Sequence, residues 1–314
     1  MKNTDYFVYL HRYILTILII CKMKLRNFSL MLLAMLTLGI TFVSCTGRNA
    51  KNAIEASDAA TGCDISNFEI YEEFKTASTA YLCKGDTTFG ESVKVYTTAS
   101  ISVQWPRRFG NSNVKSLQDT ILAHSFVTPK ASIDSCIVDF ISRPIGYGEY
   151  ALEKVDFEPV FDENTRVLST NTSVKSVGFC EKYVVFKVEH DEYRGGAHPS
   201  YFASFINYDL KNKRVANFNS LFKDNCDAEL LDILKQSLIS NYFCANLDEV
   251  AEKSGIFIND LFVSHEIYLT GDEVVFFYNP YEIGPWAIGT VEIPVPVASL
   301  ADCLSDYGKQ LYDI

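Results

Sequence analysis

Val93-Lys94-Val95-Tyr96-Thr97-Thr98-Ala99-Ser100-Ile101-Ser102-Val103-Gln104-Trp105-Pro106 is the stretch on which the fold turns. In an extended chain Val93, Val95, Thr97, Ala99, Ile101, Val103 and Trp105 fall on one side. Lys94, Tyr96, Thr98, Ser100, Ser102 and Gln104 fall on the other. A two-residue period this long predicts a strand with one face in a core and one face polar. Pro106 is its expected stop, because proline has no N–H to give a ladder. Such a strand needs a cover for its apolar side, and the next segments supply helices. Asn113 stands where it can cap a helix carrying the stripe Val114, Leu117, Ile121 and Leu122. Ser132 can cap a second, carrying Ile133, Cys136, Ile137, Phe140 and Ile141, which ends before Pro144. Cys136 lies on that apolar stripe and is expected to be a buried small hydrophobe.

Gly146 to Val155 reads as a joint, and beyond it the texture is β. Arg166 to Val177, Tyr183 to Glu189 and Tyr201 to Tyr208 are expected strands, the last closed by a turn at Lys211-Asn212-Lys213. Asn219 to Phe222 is a short helical turn, and Ala228 to Tyr242 a helix with Leu230, Leu231, Leu234 and Leu238 on one face. Ile267 to Leu269 and Val274 to Tyr278 form a hairpin around Thr270-Gly271-Asp272. A strand at Thr290 to Val297 leads into a short helix at Ser299 to Leu304. Strands come in groups between helices and do not alternate strictly with them. The expected class is therefore α+β, antiparallel sheets with helices packed on them, in two subdomains at 63–150 and 151–314.

Working back to the start, two apolar runs precede all of this, Phe7 to Ile20 and Phe28 to Val43. The second has a basic entry (Lys24, Arg26), an apolar core (Leu30 to Phe42) and the ending Val43-Ser44-Cys45. A small residue before a cysteine whose thiol can carry diacylglycerol is the lipobox arrangement, although Phe42 stands where leucine is usual. The expectation is a signal region at 1–44, lipidation of Cys45, and a tether at 45–62. Met23 opens a complete signal by itself, which points to Met23 as the translation start; a two-helix anchor is the alternative. The run of apolar residues is short for a span of about 20. Thr46 follows Cys45 where aspartate would mark inner-membrane retention, so the expected location is the outer membrane, facing the periplasm.

The whole chain carries 28 basic and 39 acidic residues, net -11. Residues 1–44 hold five of the basic ones (Lys2, Arg12, Lys22, Lys24, Arg26) and only Asp5 of the acidic ones. The chain from Cys45 onward is thus net -15, with 23 basic and 38 acidic residues. That surface repels phosphate backbones, which excludes nucleic acid as a partner, and it attracts cationic ones. Nine cysteines include no C-x-x-C pair, which excludes zinc-ribbon and thioredoxin-like readings. The sequence also has no G-x-S-x-G elbow, P-loop or dinucleotide fingerprint.

Two polar clusters remain. The first is His190-Asp191-Glu192-Tyr193-Arg194-Gly195-Gly196-Ala197-His198. His190 and His198 with nearby carboxylates are weak candidates for a zinc site, one that His265 and Glu266 could complete across a long-range contact. The competing reading gives Gly195 and Gly196 a positive φ in a turn, with His198 bonded to the turn's own carbonyls. The second cluster is Tyr278-Asn279-Pro280-Tyr281-Glu282-Ile283-Gly284-Pro285-Trp286. Rings, two prolines and a glycine make a stiff loop suited to stacking on a sugar or clamping a partner, with Tyr278, Tyr281, Glu282 and Trp286 as the candidate contacts. Packing of the rings in a core is the other account.

These clusters also carry a family resemblance. Tyr193 to Pro199, Phe205 to Lys211 and Asn219 to Phe222 follow, in order, Y-x-G-G-A-H, N-x-D-L-K-x-G-K and L-x-D-L-F. Tyr278 to Gly289 follows Y-E-I-A-P-x-A-x-G. On these four segments the chain from about Val155 to Ile314 resembles the domain of unknown function that forms the extracellular part of the anti-sigma-V factor, a lysozyme receptor. A related copy precedes the catalytic domain of some peptidoglycan deacetylases. A match to the companion N-terminal domain covers about Ile65 to Gly148, resting on Trp105-Pro106 and the helix after it. Lys211-Asn212-Lys213 lacks the family's glycine, which puts Asn212 forward as a residue of positive φ. The sigma-binding helices and the deacetylase domain have no counterpart here. The resemblance implies a sensor or binding module without its usual effector. The expected function is therefore non-enzymatic binding of peptidoglycan or a basic protein such as lysozyme, from a lipid anchor and without a cofactor. A metal-assisted hydrolase using His190 and His198, and a purely structural lipoprotein, are the alternatives.

Overall fold

The computed structural model describes residues 70–84, 93–109, 114–142, 151–155 and 165–314. Cys45, the signal region, the tether and Asn113 lie outside them. Among the described residues ten strands and six α-helices build two sheets with helices on them, so the class is α+β. The large sheet holds β1 (Ile70–Lys84), β2 (Lys94–Phe109), β3 (Ala151–Val155), β4 (Thr165–Phe179), β5 (Tyr183–Tyr193), β6 (Ser200–Asp209) and β7 (Arg214–Val215). Their order across it is β3-β1-β2-β4-β5-β6-β7. The small sheet has β8 (Ile267–Leu269), β9 (Glu273–Tyr278) and β10 (Val291–Pro296) in the order β10-β9-β8.

β2 has the expected alternation: Val95, Thr97, Ala99, Ile101, Val103 and Trp105 are all buried. Pro106 does not end it. The strand runs on to Phe109 through a bulge, where the register against β1 shifts between Tyr71 and Glu72, and bulges are where a sheet tolerates proline. The sheets are also not purely antiparallel. Lys94–Val103 of β2 pairs in parallel with Thr165–Val174 of β4, which places both expected subdomains on one continuous sheet. The stretch expected to be a joint contains β3, paired with Ala80–Lys84 of β1.

One face of the sheet is covered by α1 (Lys115–Ser125) and α2 (Ile133–Ser142). Leu117, Ile121, Ile133, Cys136 and Ile137 from the helices meet Ile101, Val103, Trp105, Val174, Phe186 and Ile206 from the strands. Ser132 accepts a bond from the Ser135 N–H at 3.2 Å, as expected of a cap. The opposite face of β5 and β6 is buried under the small sheet and α4 (Asp227–Asn241), in a core that joins Tyr183, Val185, Ala203 and Phe205 to Leu230, Leu234, Phe276 and Ile293. β5 is buried on both sides, which is why Tyr183 to Val188 reads as a nearly unbroken apolar run. Among the described residues the same face of β2 and β4 carries no such cover, and there the polar side of β2's alternation lines an open cleft.

The remaining helices are α3 (Phe218–Leu221), α5 (Leu247–Ser254) and α6 (Asp306–Tyr312). α5 opens on Asn246, whose side chain accepts the Glu249 N–H, and closes on Gly255 at φ 78. In the turn after β6 the left-handed residue is Lys213 (φ 53) and not Asn212. Asn212 instead bonds Asp209, which also accepts the N–H of Lys211. An aspartate-centred turn thus does the work of the missing glycine. No helix among the described residues is long and apolar enough to cross a membrane.

Candidate functional site

The site is built from two loops. The first joins β5 to β6. Gly195 sits at φ 84, a conformation costly for any side chain, while Gly196 is not in that region. The turn is braced locally: Tyr193 donates its hydroxyl to the Gly196 carbonyl at 3.1 Å, and Arg194 pairs with Glu192 at 2.6 Å. His198 Nδ1 lies 2.9 Å from the Pro199 carbonyl. That oxygen can only accept, so Nδ1 carries a proton, and in the neutral ring Nε2 offers a lone pair.

The second loop follows β9. Asn279 is buried and its side chain is tied to β6, while Glu282 accepts the Asn279 N–H at 2.7 Å and closes the turn. Ile283 is buried in the core. Gly284 is buried, and a Cβ there would meet the end of the Ile288 side chain, which packs against this glycine where the loop turns back. Between these anchors Tyr281 is held out, 64% exposed, at φ 74. Left-handed backbone on a bulky residue costs on the order of 1–3 kcal/mol, and such strain collects at functional sites. Trp286 begins a short turn of 3₁₀-helix, Trp286–Ile288. Tyr278, expected among the contacts, is fully buried and donates to the Phe262 carbonyl at 2.6 Å. It belongs to the core, because every side chain from Val274 to Tyr278 is buried whichever way it points.

The two loops, 83 positions apart in sequence, meet at His198. Its ring lies flat on the Trp286 indole, centroids 4.3 Å apart and planes 9° from parallel. Its Nε2 accepts the Tyr281 hydroxyl at 2.8 Å. Tyr281 and Trp286 are themselves 6.1 Å apart between centroids. The result is a three-ring cluster on backbone fixed from both sides, with the Tyr281 ring at the surface. No spacing rule links the two motifs; what they shared in sequence was an excess of aromatic and glycine residues.

The zinc reading fails on placement. His190 follows the alternation of β5 onto the face of α1 and α2, where Nδ1 lies 3.0 Å from the Thr172 hydroxyl. Burial holds it below the ordinary imidazole range. Near it, His124 is lowered first by burial and then by His190 itself, and its Nε2 lies 2.9 Å from the Ser204 hydroxyl. His265 stacks on Phe218, and Glu266 accepts the Phe205 N–H. No histidine belongs to a group of three potential metal ligands among the described residues. The one such group there is Cys226, Glu229 and Cys303, with ligand atoms within 4.8 Å of one another; a separation of 77 positions between the cysteines hides it in the sequence.

Beside the β5–β6 hairpin lies the open cleft on the polar sheet face, about 770 Å³ in volume. A ladder of side chains crosses its floor: Ser100 donates to Asn171, Asn171 to Asp191 at 2.9 Å, and Tyr201 to Glu189 at 2.7 Å. Burial alone would raise the Glu189 carboxyl, but hydrogen bonds from Tyr201 and Lys187 outweigh it and hold the group low. The Ser173 hydroxyl is buried there and makes no hydrogen bond to any of the described residues. Lys175 with Glu189 and Asp191 leaves the lining at a net charge of -1, so it suits a ligand rich in hydroxyls more than a phosphate.

Residues 219–298 match DUF3298, a protein family of unknown function. A crystal structure of a DUF3298 family member from Bacteroides fragilis superposes with a TM-score of 0.57 at 20% identity, covering 80% of this chain and 97% of that one. A DUF3298 family protein from Pseudomonas aeruginosa gives 0.49 at 14% identity, covering 76% and 96%. No curated protein matches the chain. The first likeness shows the fold, and the family match bears out a domain of unknown function in the C-terminal half.

Proposed function

We propose that the chain is a non-enzymatic envelope lipoprotein, anchored through Cys45, whose Tyr281–Trp286 loop binds a basic protein such as a lysozyme. The observation that carries this reading is Tyr281: a large ring kept exposed at φ 74, backed by His198 and Trp286. A core has no use for an exposed ring on strained backbone, whereas a contact surface uses rigid aromatic anchors. The acidic surface supplies attraction at a distance and the aromatic cluster supplies residence time. The lipobox ending at Cys45 supports export and attachment, and Thr46 after it supports the outer membrane, facing the periplasm. Intact mass of membrane-extracted protein should show diacylglyceryl on Cys45 and no residues before it; normal processing of Cys45→Ser would overturn the anchor.

Binding is tested on a surface carrying the mature chain, with lysozyme, an equally basic unrelated protein, and isolated peptidoglycan. Lysozyme alone should bind tightly. Equal binding of both proteins would reduce the effect to charge attraction. The polar cleft favours a second reading, recognition of peptidoglycan glycan, and binding to peptidoglycan alone would select it. Binding to none would leave a structural lipoprotein.

A further inference from the structure

Cys226 stands at the N-terminal end of α4, half-buried, and its side chain makes no capping bond. Cys303 is fully buried and follows the 3₁₀ turn Val297–Leu300 that closes the small sheet. Two backbone ties bring their segments together. The Lys223 N–H donates to the Cys303 carbonyl at 2.9 Å, and Phe222 forms an antiparallel bridge with Leu304. The two sulfur atoms and a carboxylate oxygen of Glu229 lie within 4.8 Å of one another. Two other thiols are otherwise engaged: Cys136 accepts the Lys130 N–H at 3.1 Å, and Cys244 lies 3.5 Å from the Tyr242 carbonyl.

We infer that Cys226 and Cys303 form a disulfide when the chain meets a disulfide oxidant, stapling the start of α4 to the end of the small sheet. A disulfide needs sulfurs about 2.05 Å apart, and both cysteines lie outside regular secondary structure, at a helix cap and in a turn, where small shifts close the gap. The order of events follows from exposure. Cys226, the accessible thiol, loses its proton and attacks a small disulfide, R–S–S–R; one sulfur joins Cys226 and the other leaves as thiolate. Cys303 then gives up its proton and attacks the Cys226 sulfur, expelling the second thiolate. Two protein thiols are oxidised and one disulfide is reduced to two thiols.

Burial first, and then Cys226 and Glu229, push the Cys303 thiol up to about 12. The second step accelerates as pH rises, because Cys303 has to lose its proton before it can attack. The closed loop is long, so the cross-link restricts the unfolded chain strongly and should raise Tm by about 5–10 °C.

The test uses the purified, reduced mature chain with oxidised glutathione, followed by alkylation and peptide mapping. The expected result is loss of two thiols, one linked peptide containing Cys226 and Cys303, and a higher Tm that dithiothreitol reverses. Cys226→Ser should fold with unchanged circular dichroism and lose both the linked peptide and the Tm increase. Cys303→Ala should stop at a glutathione adduct on Cys226, which keeps the inference testable even if that variant is less stable. Full alkylation of both cysteines after oxidation, a stable glutathione adduct in the unaltered chain, or stoichiometric zinc that shields both thiols would each overturn it.

Discussion

Asn279 meets the Ala203 backbone as a neighbouring strand would: its Oδ1 accepts the Ala203 N–H at 2.7 Å and its Nδ2 donates to the Ala203 carbonyl at 3.1 Å. β6 needs this, because β7 covers only its last two residues and leaves the rest as an open edge. Side chains complete that edge. Glu266 takes the Phe205 N–H at 2.6 Å, and Asn207 returns the favour across the gap by bonding the Ile267 carbonyl and the Leu269 N–H. An edge sealed in this way cannot recruit another chain.

Replacing Asn279 with Leu removes a donor and an acceptor from a buried amide pair. The expected cost is about 2–3 kcal/mol of unfolding free energy, read from urea midpoints at constant slope. Because Asn279 also fixes the root of the Tyr281 loop, partner binding should weaken in the same variant. A neutral effect on stability would show that Ala203 finds water instead.

The two glycines of the β5–β6 loop should separate cleanly. Gly195→Val forces a β-branched residue to φ 84 and should cost about 1–3 kcal/mol, while Gly196→Val, with normal backbone and nothing closer than 3.9 Å to its Cβ, should cost a few tenths. Thermal melts of both decide it. Equal losses would place the constraint in the whole turn.

Glu266 makes stability depend on pH. Burial, aided by Glu282 and opposed by the Phe205 N–H, raises its carboxyl to about 7, against 4.5 for the free side chain. Between those values the folded chain holds a proton that the unfolded chain has lost, so stability falls as pH rises through the window and levels off above about 7. The size is on the order of 1–3 kcal/mol. Glu266→Gln keeps an acceptor for Phe205 and should flatten the difference between urea midpoints at pH 5 and pH 8. A slope unchanged by the substitution would assign it to other groups.

Tyr281→Gly relieves the left-handed backbone and deletes the exposed ring together. Stability should hold or rise by up to about 1 kcal/mol, while the dissociation rate of a bound lysozyme increases at least tenfold. Trp286→Ala should also speed dissociation, and added salt should mainly slow association, since charges beyond about 8 Å are screened at physiological ionic strength. A Tyr281→Gly chain that is less stable and binds normally would make the ring a brace for His198 and nothing more.

Where the hydrophobic pattern was local, the sequence was readable. β2's alternation, the stripe around Cys136 and the leucines of α4 each name their buried side without outside help. Pairing between distant segments was not. Nothing in Lys94–Val103 marks it as a parallel partner of Thr165–Val174, and Ile70–Lys84 has too little apolar periodicity to announce the longest hairpin in the sheet. α5 leaves no apolar stripe to read, because a single buried side chain, Val250, holds it down. At the site, both motifs stood out by composition, yet their meeting at His198 depends on contacts between loops 83 positions apart. Tyr278 is not legible for a related reason: a strand buried on both faces erases the alternation that separates contact from core.

The shared core of β5, β6, α4 and the small sheet bears on how this domain can be moved between proteins. Sequence similarity marks residues 219–298, but the apolar surface of that stretch is covered by Tyr183, Val185, Ala203 and Phe205 before it and by Leu304 and Leu311 after it. Cut at those borders, it would expose β8 and β9 with no edge to dock on. A transplant onto another scaffold has to carry β5 through α6 as one piece.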